Sequence, residues 1–174
     1  MSNQYLTLVL GGARSGKSRH AEQLTLATGH EPWYVATGTA GDGEMAARIE
    51  AHKARRGTSW NVVEEPLELA AKLDEIARHD RAVLVDCLTL WLTNLMMAER
   101  DLKAEMDRLM VVLEERRGPI FLVSNEVGQG IVPIEPMARA FVDAAGLMHQ
   151  RIAAIARRVD LVTAGLPLSL KPRL

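Results

Sequence analysis

The 174-residue chain has little with which to staple or stack itself: one cysteine, Cys87, and an aromatic content of 4%. A single thiol excludes an internal disulfide and a zinc site built from cysteines. Cys87 follows an apolar run and reads as a buried thiol. With so few rings, aliphatic side chains must fill the core, and a hydrophobic content of 48% is enough for one. Neither sign of charge is in excess, with 21 Lys and Arg against 22 Asp and Glu. That balance argues against a general electrostatic affinity for nucleic acid or for membrane surfaces. No apolar segment reaches the roughly 20 residues of a transmembrane helix. The first residues show no basic region followed by an apolar stretch, so no signal peptide is expected and a cytoplasmic protein is. Repeats, low-complexity tracts and linkers are missing too, and the length suits a single domain over 1–174.

What is present is concentrated near the start. An apolar run, Thr7-Leu8-Val9-Leu10, enters Gly11-Gly12-Ala13-Arg14-Ser15-Gly16-Lys17-Ser18. Gly11, Gly16, Lys17 and Ser18 fit G-x-x-x-x-G-K-[ST], the phosphate-binding loop. Glycines let the backbone curl until successive N–H groups face phosphate oxygens, and the helix that follows adds the positive end of its dipole. Lys17 is placed to reach the β- and γ-phosphates, and the Ser18 hydroxyl to ligate Mg²⁺. The element N-K-x-D, which reads guanine in switch GTPases, does not occur, which argues against a signalling GTPase.

The rest alternates strand with helix. Strands are expected over 5–10, 33–37, 60–63, 82–86, 119–124 and 161–164, with a final edge strand over 168–171. Helices are expected over 17–28, 44–56, from Pro66 onward with Leu69, Leu73, Ile76 and Ala77 on one face, over 88–117 with a bend near 99–101, and over 137–157. The stripe Leu102, Met106, Leu109 and Leu113 reads as core or subunit contact, and Met96 and Met97 as packing. The pattern predicts an α/β fold of the P-loop NTPase (RecA-like) type, a mostly parallel sheet with helices on both faces. Ligands of such sheets bind at the carboxyl ends of the strands.

Several residues fall at those ends. Asp86 either holds Mg²⁺, directly or through water, opposite Ser18, or caps the helix that follows. Thr37, Gly38 and Thr39 either approach the nucleotide or form an ordinary strand exit. Glu64 either accepts ribose hydroxyls or caps the helix before which Pro66 stands. Gly128 and Gly130 lack the strand-turn-helix context of a dinucleotide fingerprint and read as shaping a loop that closes over substrate. Of the five histidines, His20 reads as supporting the phosphate loop from behind, and His30, His79 and His149 as surface or helix-end residues.

The run from Gly11 to Glu22 closely resembles the opening of the adenosylcobinamide kinase / adenosylcobinamide-phosphate guanylyltransferase family. Asp42-Gly43-Glu44-Met45-Ala46-Ala47-Arg48-Ile49 with His52, Thr93-Asn94-Leu95, and Ser124-Asn125-Glu126-Val127-Gly128 with Gly130-Ile131-Val132-Pro133 resemble further signatures, in order along nearly the whole chain. The resemblance implies a bifunctional enzyme of cobalamin assembly. ATP or GTP phosphorylates the hydroxyl arm of adenosylcobinamide, and GTP then transfers GMP to that phosphate, releasing pyrophosphate. It implies a GMP–histidine intermediate on His52, and a homo-oligomer, a trimer in the first instance. Helical spacing puts His52 where an apolar stripe (Met45, Ile49) meets a basic one (Arg48, Arg55). Arginines there would favour the neutral imidazole that attack on phosphorus requires, and would neutralise phosphate charge. Lys53, Arg55 and Arg56 either grip phosphates or form a solvated basic face. Two alternatives stay open: a kinase without the transferase step, and a nucleotide-dependent regulatory module.

Overall fold

The computed structural model describes residues 6–38 and 59–171. The helix expected over 44–56, and with it His52, lies outside them.

Among the described residues seven strands form one sheet in the order β3-β2-β4-β5-β1-β6-β7. The strands are β1 (Leu6–Gly11), β2 (Glu31–Ala36), β3 (Asn61–Glu64), β4 (Arg81–Asp86), β5 (Ile120–Asn125), β6 (Arg158–Thr163) and β7 (Leu166–Lys171). All neighbours pair in parallel except β7, which runs antiparallel to β6. The helices are α1 (Lys17–Leu26), α2 (Leu69–Ile76), α3 (Leu88–Met97), α4 (Leu102–Glu114) and α5 (Pro136–Ile155).

The apolar runs sort by the two-residue period of a strand. Leu6, Leu8 and Leu10 of β1 join Ile120 and Leu122 of β5 and the apolar stripes of α2 to α5 in one core. Val9, Phe121, Val123, Leu84 and Tyr34 face the other way, where Ala21 of α1 packs. β1, β4 and β5 are buried on both faces, as the inner strands of a parallel sheet must be.

The expected bend splits the long helical region at 98–101, where Asp101 caps α4 by accepting from the Ala104 N–H at 3.0 Å. Met106, Leu109 and Leu113 of the α4 stripe are core. Two expectations need correction. Met97 is 70% exposed, because α3 ends there and only Met96 turns inward. β6 begins at Arg158 rather than at 161. The carboxylate of Asp160 disguises it: that side chain is wholly buried in mid-strand and held by His20 and Arg158.

Candidate functional site

The phosphate loop leaves β1 at Gly11 and enters α1 at Lys17. Arg14 (φ 54°) and Gly16 (φ 97°) both take the left-handed backbone conformation, which reverses the chain and turns amides inward. A side chain on Gly11 would collide with the Ser15 hydroxyl and the Val162 carbonyl, at 2.4 and 2.6 Å. Gly16 abuts the turn between β6 and β7, whose Gly165 N–H donates to the Ser15 carbonyl at 2.8 Å. Gly11 is therefore required by space, and Gly16 by its φ as well as by the tight approach of Gly165. Among the described residues the buried Ser15 hydroxyl has no hydrogen-bond partner.

Lys17 is nine-tenths buried, and its ammonium donates to the Gly12 carbonyl at 3.0 Å. One of three N–H donors is thus spent on holding the lysine over the loop, and two are left for phosphate oxygens. Ser18 is half-buried in the first turn of α1. Two residues further on, the His20 ring meets Asp160 at 2.7 Å, which ties α1 to β6 and so fixes the helix end behind the cradle.

Asp86 ends β4. β5 separates β4 from β1, so the acid stands two strand spacings, about 10 Å, across from the loop. It does not cap α3: the cap position is Cys87, without a side-chain bond, and Asp86 instead accepts from the Tyr34 hydroxyl at 2.9 Å. That bond occupies one carboxylate oxygen. A serine hydroxyl and a carboxylate such as those of Ser18 and Asp86 are hard oxygen donors of the kind magnesium takes alongside substrate phosphates. No cluster of three or more His, Cys, Asp or Glu suited to a metal occurs among the described residues, so these two would act together with the nucleotide itself.

The other candidates divide. The Thr37 hydroxyl serves the fold: it donates to the Cys87 carbonyl at 2.7 Å and accepts the Cys87 N–H at 2.9 Å, pinning the exit of β2 to that of β4. Gly38 follows it, and Thr39 lies outside the described residues. Lys53, Arg55 and Arg56 lie outside them as well. Glu64 ends the edge strand β3, on the far side of β2 and β4 from the loop. The capping once open to it falls to Glu65, whose carboxylate accepts from the Leu67 and Glu68 amides at 3.0 and 2.8 Å. Burial and the charge of Asp86 push the Cys87 thiol up to about 11, so it is inert as a nucleophile at neutral pH.

Three groups escaped the sequence reading. Asn94 donates to the Thr37 carbonyl at 2.7 Å and to the Pro66 carbonyl at 3.0 Å, bracing the exits of β2 and β3 together. Thr89 accepts from the Asn125 backbone and side chain at 3.3 and 3.0 Å. His149 is not a surface residue. It is buried in α5 with its ring 2.7 Å from the Ser124 hydroxyl, and burial lowers its pKa against the opposing charge of Glu126. Its place one turn after Ala145, on the face that also buries Met148 and Ile152, was the available signal.

A parallel sheet with the loop at β1 and the acid two strands away defines a P-loop nucleotide-binding protein of RecA-like architecture. Solved structures share that fold. The flagellar accessory protein FlaH from Methanocaldococcus jannaschii superposes with a TM-score of 0.55 at 13% identity, over 98% of this chain and 80% of its own. The RadB recombinase does so with 0.54 at 20% identity, over 92% and 74%. Residues 7–170 match the cobinamide kinase / cobinamide phosphate guanyltransferase family, and the chain belongs to that family. The bifunctional adenosylcobalamin biosynthesis protein CobP of Pseudomonas aeruginosa is 52% identical over 166 residues, spanning 94% of this chain and 96% of CobP. The corresponding CobU of Escherichia coli is 38% identical over 181 residues, spanning 95% and 99%.

Proposed function

We propose that this chain carries out both reactions of its family on adenosylcobinamide: phosphorylation of the hydroxyl arm with ATP or GTP, then transfer of GMP from GTP to the new phosphate. The observation that carries the reading is the cradle, with left-handed Arg14 and Gly16 and a buried Lys17 poised above it. Gly11, Gly12, Ala13, Arg14, Ser15 and Gly16 would wrap the phosphates with backbone amides, and Lys17 would neutralise charge on the transferring group. Ser18 and Asp86 would hold Mg²⁺, which when bound draws charge from the phosphate oxygens. In the second step His52 would carry GMP as a phosphoramidate, with Lys53, Arg55 and Arg56 gripping phosphates and Glu64 and the 37–39 segment near the nucleoside. The chain would act in the cytoplasm as a single-domain subunit of a homo-oligomer, with a trimer the first state to test. No described helix is long and apolar enough to cross a membrane.

Intact-mass measurement after incubation with GTP and Mg²⁺ tests the second step. An acid-labile adduct of GMP mass is expected in the native chain and not in His52→Ala. If no adduct forms under turnover, the chain is a kinase only.

A further inference from the structure

The signature run after β5 contains a carboxylate to which neither step above gives a role. β5 is the neighbour of β1, Gly11 pairs with Asn125, and the Glu126 N–H donates to the Gly11 carbonyl at 3.0 Å. The first residue beyond β5 therefore stands on the rim of the phosphate cradle. Its carboxylate accepts from the Gly128 N–H at 2.6 Å, which fixes its direction, and among the described residues no cation pairs with it. On the opposite flank of β1 the carboxylate of β6, Asp160, is wholly buried and held by His20 and Arg158. Glu64 is four strands from β1, about 19 Å. Asp86 has one oxygen on Tyr34 and ends β4, two strands from β1. The loop that Glu126 opens also carries Ile131 and Ile134, 98% and 94% exposed. These put exposed apolar surface on the same loop, available to an acceptor much larger than its hydroxyl arm.

We propose that Glu126 is the proton acceptor of the phosphoryl-transfer step, an inference that rests on the kinase reading above. The acceptor O–H proton passes to the Glu126 carboxylate as the oxygen forms its bond to the γ-phosphorus. The bridging P–O bond breaks, its electron pair leaves on the nucleoside diphosphate, and Glu126 returns the proton to solvent after product departs. The hydrogen bond from Gly128 aims the carboxylate, and the link from Glu126 to Gly11 sets its distance from the phosphates.

Glu126→Gln in the full chain tests this, because the Gln side-chain oxygen still accepts the Gly128 N–H and leaves the loop intact. Kinase kcat should fall by about 10²-fold, the low end for general-base catalysis, since phosphoryl transfer has a loose transition state. The acidic limb of its pH profile should disappear with it. Nucleotide affinity, and GMP transfer to a supplied phosphorylated acceptor, should each stay within about threefold of the native chain. Glu126→Asp should recover part of the rate and restore the limb. Three results would overturn the proposal: kinase kcat in Glu126→Gln within about threefold of native, loss of rate with the acidic limb intact, or equal loss of both reactions. A native chain that transfers no phosphoryl group to the acceptor would instead sink the kinase reading itself.

Discussion

The cradle and the wall that faces it are built on different principles. The cradle is eight consecutive residues, shaped by backbone conformation: two left-handed residues, a glycine with no room for a Cβ, and a helix end. The wall (Asp86, Asn125 and Glu126) comes from the ends of two strands about forty residues apart. It is held by side chains from other elements: Tyr34, Thr37, Thr89 and Asn94. A contiguous cradle keeps its shape as long as its own spacing is kept. A wall assembled from distant segments depends on struts, and its failure should show first as lost stability.

The sharpest way to separate the two is Lys17→Ala. Among the described residues the lysine hangs over the loop by one hydrogen bond, to Gly12. Its loss removes charge aimed at the transferring phosphate and little else. Phosphorylation of the acceptor should fall by about 10³-fold, as when a preorganised electrostatic group is deleted. Urea denaturation of the nucleotide-free chain should barely move. A kinase rate near that of the native chain would show that the cradle serves some other step.

Asn94→Ala should do the reverse. Its amide satisfies the Thr37 and Pro66 carbonyls, and truncation strips both of their donor and opens a gap between α3 and the strand exits. A loss of about 2–3 kcal/mol is expected in denaturant titration. The Lys17–Gly12 contact lies beyond β5 from this strut, so nucleotide affinity should change far less than stability. If affinity collapses while stability holds, the strut belongs to the ligand site and the division between cradle and wall fails.

The same division explains what could be read before any coordinates. The cradle was legible to the residue, because its physics is local: spacing, glycine, a helix dipole. The alternation of strands and helices was legible for the same reason, down to the bend before Asp101. The wall was only half legible. Asp86 announced itself at the end of an apolar strand, but Glu126 sits in a loop of no periodicity, and its value comes from β5 lying beside β1, which is a fact of strand order. The start of β6 was missed because a buried Asp160 looks like surface until His20 and Arg158 are found on it. Thr37 stayed open between nucleotide contact and an ordinary strand exit, because a threonine there does not reveal that its hydroxyl is already bonded twice to Cys87.

His149 was the clearest misreading, and it gives the smallest and most specific prediction. Burial against Ser124 lowers its folded pKa below the ordinary histidine value, so the folded protein keeps the ring neutral where the unfolded chain would protonate it. The unfolded state then binds more protons as pH falls through about 6.5, and stability must drop on acidification, by at most about 1.4 kcal/mol per pH unit. Above that range the term vanishes. His149→Gln keeps a side chain able to hydrogen-bond Ser124 but cannot titrate. Denaturant midpoints measured from pH 7.5 downward should therefore fall more steeply for the native chain than for the variant, and the two curves should run parallel in neutral buffer. Because Ser124 precedes Asn125 and Glu126 directly, the slope difference also reports how firmly the wall is tied to α5. Identical slopes would mean that the imidazole titrates in the fold as it does in the unfolded chain, the charge of Glu126 offsetting the burial around it.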